Sequence, residues 1–574
     1  MMKLIDFICA IIVRVLNIVF HYIPIGFTLW LGRRLGVIAY FVNTDRRIIG
    51  YSNLRAAFCE KKTPRELRCL LKAVYMNLSQ TFFEILSLTK LSKKYIDKYI
   101  EVVNFEERQW LNNYPKGIIL LTAHFGNWEL SAAVSAIKGF PLVVLAREQS
   151  MKRMNELLNR IRESNGLQIV RKGITTKLIV KALHQGKIIG MVGDQNAGKT
   201  GVFINFMGRP ASTAPGSARI AAKTGAYILP AFIVRQKGPY HRVTLEEPMK
   251  IEKTEDITPY LVRYNKLLEN YVREHPEQWL WLHKRWKATP LRKVTVLNDG
   301  KAGHLNQSLA LCKLLKKYRE DSGYAPQDTE VEVVDIKFKS RLRKSLLDIF
   351  SLFSGNWCQG CMKCLKFCLR EESYNTLFRR YSDINVSCGS GVTAVNRFFS
   401  IENNSKSACI MKPSVLGLGK FDMVVLPQHD GVSAKEGKRI VTDVVPNLID
   451  EKYMKDSAAS ILAAAGVEKG RRIGVLLGGN NSSFTLTVRA AEELLDKVLR
   501  AAENLDAEIL FTTSRRTPPD VERFIKDRLR QEKRCRLLVI ANENNTPHTV
   551  AGIMGLSGVI IVSCDSVSMI SEAV

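Results

Sequence analysis

Short runs of Val, Ile and Leu, separated by amphipathic stretches, set the texture of this chain from residue 117 onward. The first runs are GIILLTA (117–123), PLVVLA (141–146), KIIGMVGD (187–194) and AYILPAFIV (226–234). Helical stretches such as MKRMNELLNRIRE (151–163) separate them. Strand–helix alternation of this kind predicts an α/β unit. A second alternation opens at KVTVLNDG (293–300). It continues through EVEVVDI, FDMVVLP, RRIGVLLGG, EILFTTS and RLLVIAN to GVIIVSCDS (558–566). It predicts a second, independent α/β region. Between the two, HKRWKATPLRK (283–293) is polar and basic, carries Pro290, and reads as a linker.

The first hundred residues have few glycines and read as helical. Leu4 to Leu31 is mostly apolar, with only Asp6 and Arg14 charged. About 20 apolar residues span a bilayer core, but Arg14, His21 and Pro24 interrupt this run. A mid-membrane arginine is costly unless it snorkels. Residues 1–35 are therefore expected to form a membrane anchor segment lying in or dipping into the interface. A single span and a buried core helix are the alternatives. Arg33, Arg34, Arg46 and Arg47 follow, and basic residues beside an apolar segment suit the anionic cytoplasmic leaflet of an inner membrane. The expected organisation is an anchor (1–35), a first α/β domain (36–290) and two further α/β subdomains (293–450 and 465–574).

Composition narrows the function classes. With 85 Lys+Arg against 55 Asp+Glu, the 574-residue chain carries a formal charge of +30. Its 46% hydrophobic content is too high for disorder. The 12 cysteines do not form a secreted disulfide framework. The charge asks for anionic partners. Nucleic acid is not expected, because helix-turn-helix, RNP and zinc-finger signatures are all missing from the sequence.

The first chemical constellation is T-A-H-F-G-N-W-E-L, after the strand IILL. His124 and Glu129 are five apart, about 140° around a helix. They meet only if His124 sits in a turn and Glu129 in the first turn of the following helix. A carboxylate could then orient the imidazole, and the imidazole could act as general base on a hydroxyl. A hydrogen-bonded turn histidine is the plain alternative.

The surrounding blocks resemble the glycerolipid acyltransferases, and in particular the late acyltransferases of lipid A biosynthesis. H-F-G-N-W-E matches their H-x-x-x-x-[DE] motif. Asn53-Leu54 with Ala57-Phe58 resembles their N-L-x-x-A-F element, and Arg147 follows an apolar strand as theirs does. Gly193 to Asn196 (G-D-Q-N) resembles their D-x-D turn, with Asn196 in place of the second acid. Phe206 to Thr213 and Pro276 to Lys287 complete the match over roughly 1–290. The resemblance implies transfer of a fatty acyl group from acyl carrier protein to a hydroxyl of a lipid A precursor or other glycolipid, without a metal or other cofactor. It implies His124 as base, Glu129 as its orienting carboxylate, and Arg147, Arg162, Asn127 and backbone N–H groups near Gly126 as oxyanion or substrate donors. Asp194 would shape the acceptor side or position His124. A basic surface would attract the acidic carrier protein and phosphorylated lipid.

The second half carries N-D-G-K-A-G-H (298–304), G-V-L-L-G-G-N-N (474–481), T-T-S-R-R-T-P (512–518), P-Q-H-D (427–430) and C-D-S-V-S-M-I-S-E-A (564–573). As a set these resemble the mitochondrial-fission ELM-like family, whose fold looks like a GT-B glycosyltransferase with two Rossmann-like subdomains. That resemblance implies a nucleotide-sugar cleft. Glu572, with Ser566 and Ser568, would hold the ribose. Gly478, Gly479 and Ser482 would meet the diphosphate, with Ser514 and Arg515 flanking it. Asp299, Gly303 and His304 would lie on the base or acceptor side. A non-catalytic scaffold or adaptor is the alternative. Such chains usually continue past this glutamate, so the last subdomain is expected to be incomplete.

Cys358, Cys361, Cys364 and Cys368 have the spacing of a ferredoxin run without its usual proline. The same spacing falls within about 120° of a helix face, and the preceding RLRKSLLDIFSLF is basic and amphipathic, as a membrane-surface helix is. Three readings stay open: an iron–sulfur cluster, zinc, or a packing, acylation or free-thiol face.

Overall fold

The computed structural model describes residues 2–87, 91–104, 114, 116–140, 142–146, 152–171, 175–413, 417–428, 439–465, 470–481, 484–543, 548–565 and 567–573. Pro24 divides the N-terminal apolar run into two helices, α1 (Met2–Tyr22) and α2 (Ile25–Val42). A proline there has no N–H to offer the preceding turn. The apolar run expected over 1–35 thus folds as two helices, the second continuing to Val42. Among the described residues, α2 is the helix long and apolar enough to cross a membrane. Phe27, Trp30, Ile38 and Phe41 of α2 and Ile11, Ile12, Val15 and Ile18 of α1 are exposed.

The inner side of α2 lies against α4 (Pro64–Leu86), which follows α3 (Thr44–Phe58). Gly36 sets the spacing of that crossing. A Cβ there would stand 2.7 Å from the Met76 Cα and the Tyr75 carbonyl oxygen. A capping box, Thr63 with Glu66, starts α4.

The first α/β domain holds β1 (Ile100–Val103), β2 (Ile118–Thr122), β3 (Leu142–Ala146), β4 (Gln168–Arg171), β5 (Ile188–Val192), the hairpin β6 (Val202–Phe206) and β7 (Arg209–Thr213), then β8 (Tyr227–Lys237) and β9 (Tyr240–Leu245). A seven-stranded sheet runs β1-β9-β8-β2-β5-β3-β4, parallel except for the β8–β9 pair. β2 and β5, the two strands that feed the site, are neighbours in its middle.

The second half has two parallel sheets. One contains β10 (Arg292–Asn298), β11 (Thr329–Asp335), β12 (Ile384–Cys388), β13 (Lys406–Ile410), β14 (Met423–Pro427) and β15 (Arg439–Thr442), in the order β11-β10-β12-β13-β14-β15. The other contains β16 (Arg472–Leu476), β17 (Glu508–Thr512), β18 (Cys535–Val539) and β19 (Val559–Val562), in the order β18-β17-β16-β19. The α/β class expected from the alternation is what the chain adopts.

The stretch 283–293 is not an open linker. Arg285 is fully buried, Trp286 and Thr289 are buried, and β10 has begun by Arg292. The two halves also share a buried polar seam. Tyr51 of α3 donates to Glu402, and Ser52 donates to the Asn403 carbonyl at 2.8 Å. The Arg55 guanidinium donates to the carbonyls of Leu377, Phe378 and Arg380. Arg209 pairs with both oxygens of Asp383 at 2.9 and 3.1 Å.

Candidate active site

His124 sits just past the carboxyl end of β2, in a turn that the sequence allows because residue 126 is glycine. Gly126 has φ +58°, and a Cβ on it would lie 1.9 Å from the Ile233 carbonyl oxygen. The turn is tied to the segment after 276. The Gly126 N–H donates to the Gln278 carbonyl at 2.9 Å, and the Leu280 N–H donates to the His124 carbonyl at 3.1 Å. Asn127 then starts the helix Trp128–Ile137. Its Oδ1 accepts from the Leu130 N–H at 3.1 Å, and its Nδ2 donates to buried Glu84 at 2.7 Å. Asn127 is thus a helix cap rather than a free substrate donor.

The carboxylate on His124 is Asp194, from the turn after β5. Asp194 Oδ1 lies 2.7 Å from His124 Nδ1, while Oδ2 accepts from the His124 N–H at 3.1 Å and from Trp279 Nε1 at 2.9 Å. A carboxylate on Nδ1 favours the tautomer with its proton there and leaves Nε2 as an acceptor. Gln195 Nε2 stands 3.4 Å from that Nε2. Burial opposes protonation of the ring, but the charge and hydrogen bond of Asp194, with Glu129 adding, lift the imidazole above its ordinary range. Burial likewise pushes the Asp194 carboxyl up, and His124, Trp279 and Arg285 together hold it below its ordinary range.

Glu129 does not hydrogen-bond to His124, which corrects the expected orienting role. Because the helix starts at Trp128, Glu129 meets Arg162 of the helix Lys152–Ser164 in a two-point pair, at 2.6 Å (Nη2–Oε1) and 2.9 Å (Nε–Oε2). Arg162 also donates to Asn159 at 3.1 Å. Three of its five N–H groups are thus engaged, two of them by Glu129. Arg147 lies outside the described residues.

Three groups escaped sequence reasoning. Arg285, fully buried, donates to the Ser212 carbonyl at 2.5 Å, to Thr213 Oγ1 at 3.0 Å and to Asn265 Oδ1 at 3.2 Å. Burial drives its pKa down to about 10, against the pull of Asp194 and Tyr264. His283 Nε2 accepts from the Asn196 N–H at 2.8 Å and so fixes the G-D-Q-N turn. Both lie in the block Pro276 to Lys287, which was the available signal. The third is Glu84, buried on α4. It is held by Arg235 at 2.6 and 2.8 Å, with the His241 Nε2 at 3.5 Å. Burial lowers the His241 pKa to about 4, against Glu84. Apolar neighbours in sequence give no hint of this pair.

In the second half, Asp299 Oδ2 is 2.8 Å from His304 Nδ1, at the carboxyl end of β10. The loop after β12 crosses over this pair. A Cβ at Gly389 would lie 2.4 Å from the His304 ring, and one at Gly391 would lie 2.8 Å from Asp299. Gly303 is exposed in the first turn of the helix Ala302–Asp321.

The expected diphosphate donors are already engaged. The Gly478 N–H donates to Ser563 Oγ at 2.6 Å, and the Gly479 N–H donates to Asp565 Oδ2 at 2.7 Å. Ser514 turns its N–H to Thr517 Oγ1 at 3.0 Å, while Arg515 is exposed. Glu572 lies half-buried in the helix Val567–Ala573, and burial pushes its carboxyl up. Ser568 belongs to the same helix. Ser482, Ser566, His429 and Asp430 lie outside the described residues.

The cysteine run does not form one helical face. Gly360 (φ +78°) and Met362 (φ +45°) break it between the 3-10 turn Asn356–Cys358 and the helix Lys363–Cys368. Cys368 is a core residue beside Leu365 and Leu369, and Cys358 and Cys364 pack against that core. Among the described residues, no three His, Cys, Asp or Glu side chains are gathered as a metal ion requires. Packing accounts for the buried Cys368 and for Cys358 and Cys364 beside it.

A histidine held by aspartate at the ends of two adjacent parallel strands, with its Nε2 left as acceptor, defines an α/β protein with a general-base site. Comparison with known proteins carries this further: the profile of bacterial lipid A biosynthesis acyltransferases matches residues 2–288. The chain belongs to that family and is an acyltransferase. Residues 302–574 match the profile described as mitochondrial fission ELM1. The first half is similar to the lipid A biosynthesis lauroyltransferase of Escherichia coli K12, 27% identical over 45% of this chain and 85% of the relative. It is also similar to the palmitoleoyltransferase of the same organism, 24% identical over 47% and 88%. A phosphatidylinositol mannoside acyltransferase of Mycobacterium tuberculosis is 22% identical over 30% of this chain and 55% of its own length.

Proposed function

We propose that the first half moves a fatty acyl chain from an acyl carrier protein thioester to a hydroxyl of a lipid A precursor or related glycolipid, at the cytoplasmic face of the inner membrane. The observation that carries this reading is the His124–Asp194 pair with Nε2 left as acceptor. The acceptor hydroxyl gives its proton to His124 Nε2 as its oxygen attacks the thioester carbonyl carbon. The C–S bond then breaks, and the leaving sulfur takes the proton. Asp194 holds the tautomer and supports the imidazolium. Glu129, fixed by Arg162, adds negative charge nearby. The named relatives differ in acyl chain and in acceptor, so the acceptor is written as a class. Labelled acyl carrier protein thioester and candidate glycolipids, incubated with membranes bearing wild type or His124→Ala, test it. Equal transfer by both proteins refutes the assignment.

A second reading concerns the second half, as a GT-B-like unit that takes a nucleotide sugar. Asp299 on His304 Nδ1 favours it, because it repeats the base geometry of the first site. The engaged N–H groups of Gly478 and Gly479 weigh against the diphosphate contact there. Labelled nucleotide sugars in the same assay, with wild type and His304→Ala, test it. Absence of sugar transfer leaves the scaffold role.

A further inference from the structure

The segment that carries the cysteine run exposes apolar side chains that neither site uses. Leu342 and Trp357 are each 70% exposed and Phe353 is 73% exposed. On the helix Arg341–Leu352, Leu342 and Ile349 lie seven residues apart, and Phe353 follows four residues later. That spacing puts all three within about 40° of one another. Phe367, 49% exposed, lies under the Arg343 guanidinium of that helix, which stands 4.8 Å over its ring. Large exposed apolar groups clustered this way mark an interaction surface.

The same segment borders a groove of about 920 Å³, bounded on one side by α2 and α4 and on the other by Gly360, Cys361, Lys363 and Lys366. Its cations are Arg65, Arg68, Lys72, Lys339, Lys363 and Lys366, against one acid, Glu371. Tyr40 and Phe41, at the end of the membrane-length helix α2, line the same groove. The surface is thus continuous with that helix, and its charge is opposite to that of anionic phospholipid headgroups.

We infer that residues 341–368, together with this groove, dock the second half onto an anionic leaflet. Phe353, Trp357 and Phe367 enter the headgroup boundary, and the lysines and arginines of the groove take lipid phosphates. Apolar insertion flanked by cations is how interfacial segments hold a charged membrane. The broken cysteine face gains a role in this arrangement: the left-handed turns at Gly360 and Met362 carry the chain from the exposed Trp357 back to the buried Cys368. The inference rests on the reading of α2 as membrane-inserted.

The test uses full-length protein in vesicles whose acyl chains carry bromine, a short-range quencher of tryptophan. The Trp357 emission is the difference between wild type and Trp357→Phe. In vesicles containing phosphatidylglycerol this emission falls several-fold. The fall is much smaller in pure phosphatidylcholine and in K363E/K366E. An unquenched Trp357 in anionic vesicles overturns the inference, and so does equal quenching in both lipids. Protection that appears only with rising protein concentration assigns the surface to a second copy and also overturns it. Should the double variant fail to fold, the two lipid compositions still decide. The matching Trp30→Phe difference reads α2 in the same vesicles. Failure of the membrane reading silences both signals, whereas failure of this inference silences Trp357 alone.

Discussion

Asp194 grips His124 twice, through the ring at Nδ1 and through the backbone N–H. One carboxylate therefore sets both the rotation of the imidazole and the position of the chain that carries it. Asp194→Asn keeps the shape but presents an amide to Nδ1. The expected loss is about 10²–10⁴-fold in kcat, the range for a general base, with KM little changed. Steady-state acyl transfer measures it.

Because Asp194 raises the imidazole, the pH profile has a defined sign. His124 accepts a proton only when neutral, so kcat/KM falls as pH drops through its pKa, with the acid midpoint above 6.5. Asp194→Asn moves that midpoint down. A wild-type midpoint below 6.5 contradicts the arrangement.

Gly126→Ala puts a methyl group into the Ile233 carbonyl and holds a non-glycine residue at positive φ. Backbone strain alone costs about 1–3 kcal/mol, and the clash adds to it. Thermal unfolding in detergent should fall by several degrees, and acyl transfer should drop with it.

Glu84→Ala leaves the Arg235 guanidinium buried without its carboxylate and releases the Asn127 side chain. Breaking a buried ion pair from one side costs about 3–5 kcal/mol. The measurement is denaturant unfolding, and a change below about 1 kcal/mol would place the pair among weak surface bridges instead.

Arg55→Ala removes donors to three carbonyls of the second half. Limited proteolysis is expected to open new cleavage sites within 371–403. Wild-type resistance would show that Arg55 is not what holds the seam.

Much of the fold was legible where strands are continuous apolar runs, as in β2, β5, β10 and β16. β12 and β13 were not, because INVSC and KSACI carry buried polar side chains. Asn385 donates to Ser400 and Ser405 at 2.8 Å, and Asn396 donates to Ser387 at 2.8 Å. Such residues look like loop until their partners are known. His124 was legible from its motif, and the resemblance offered Asp194 as a residue that could position it, but the residues alone pointed to Glu129. Glu129 is close in sequence, whereas Asp194 is 70 residues away and becomes a neighbour only because β2 pairs with β5.

α3 faces two masters. Asn53 clasps the carbonyls of Trp281 and His283, each at 2.7 Å, while Tyr51 and Arg55 of the same helix reach into the second half. Cutting the gene near codon 290 would strand a naked guanidinium on one product and an orphaned Glu402 on the other. Neither piece alone would keep the buried partners that α3 has in the whole chain.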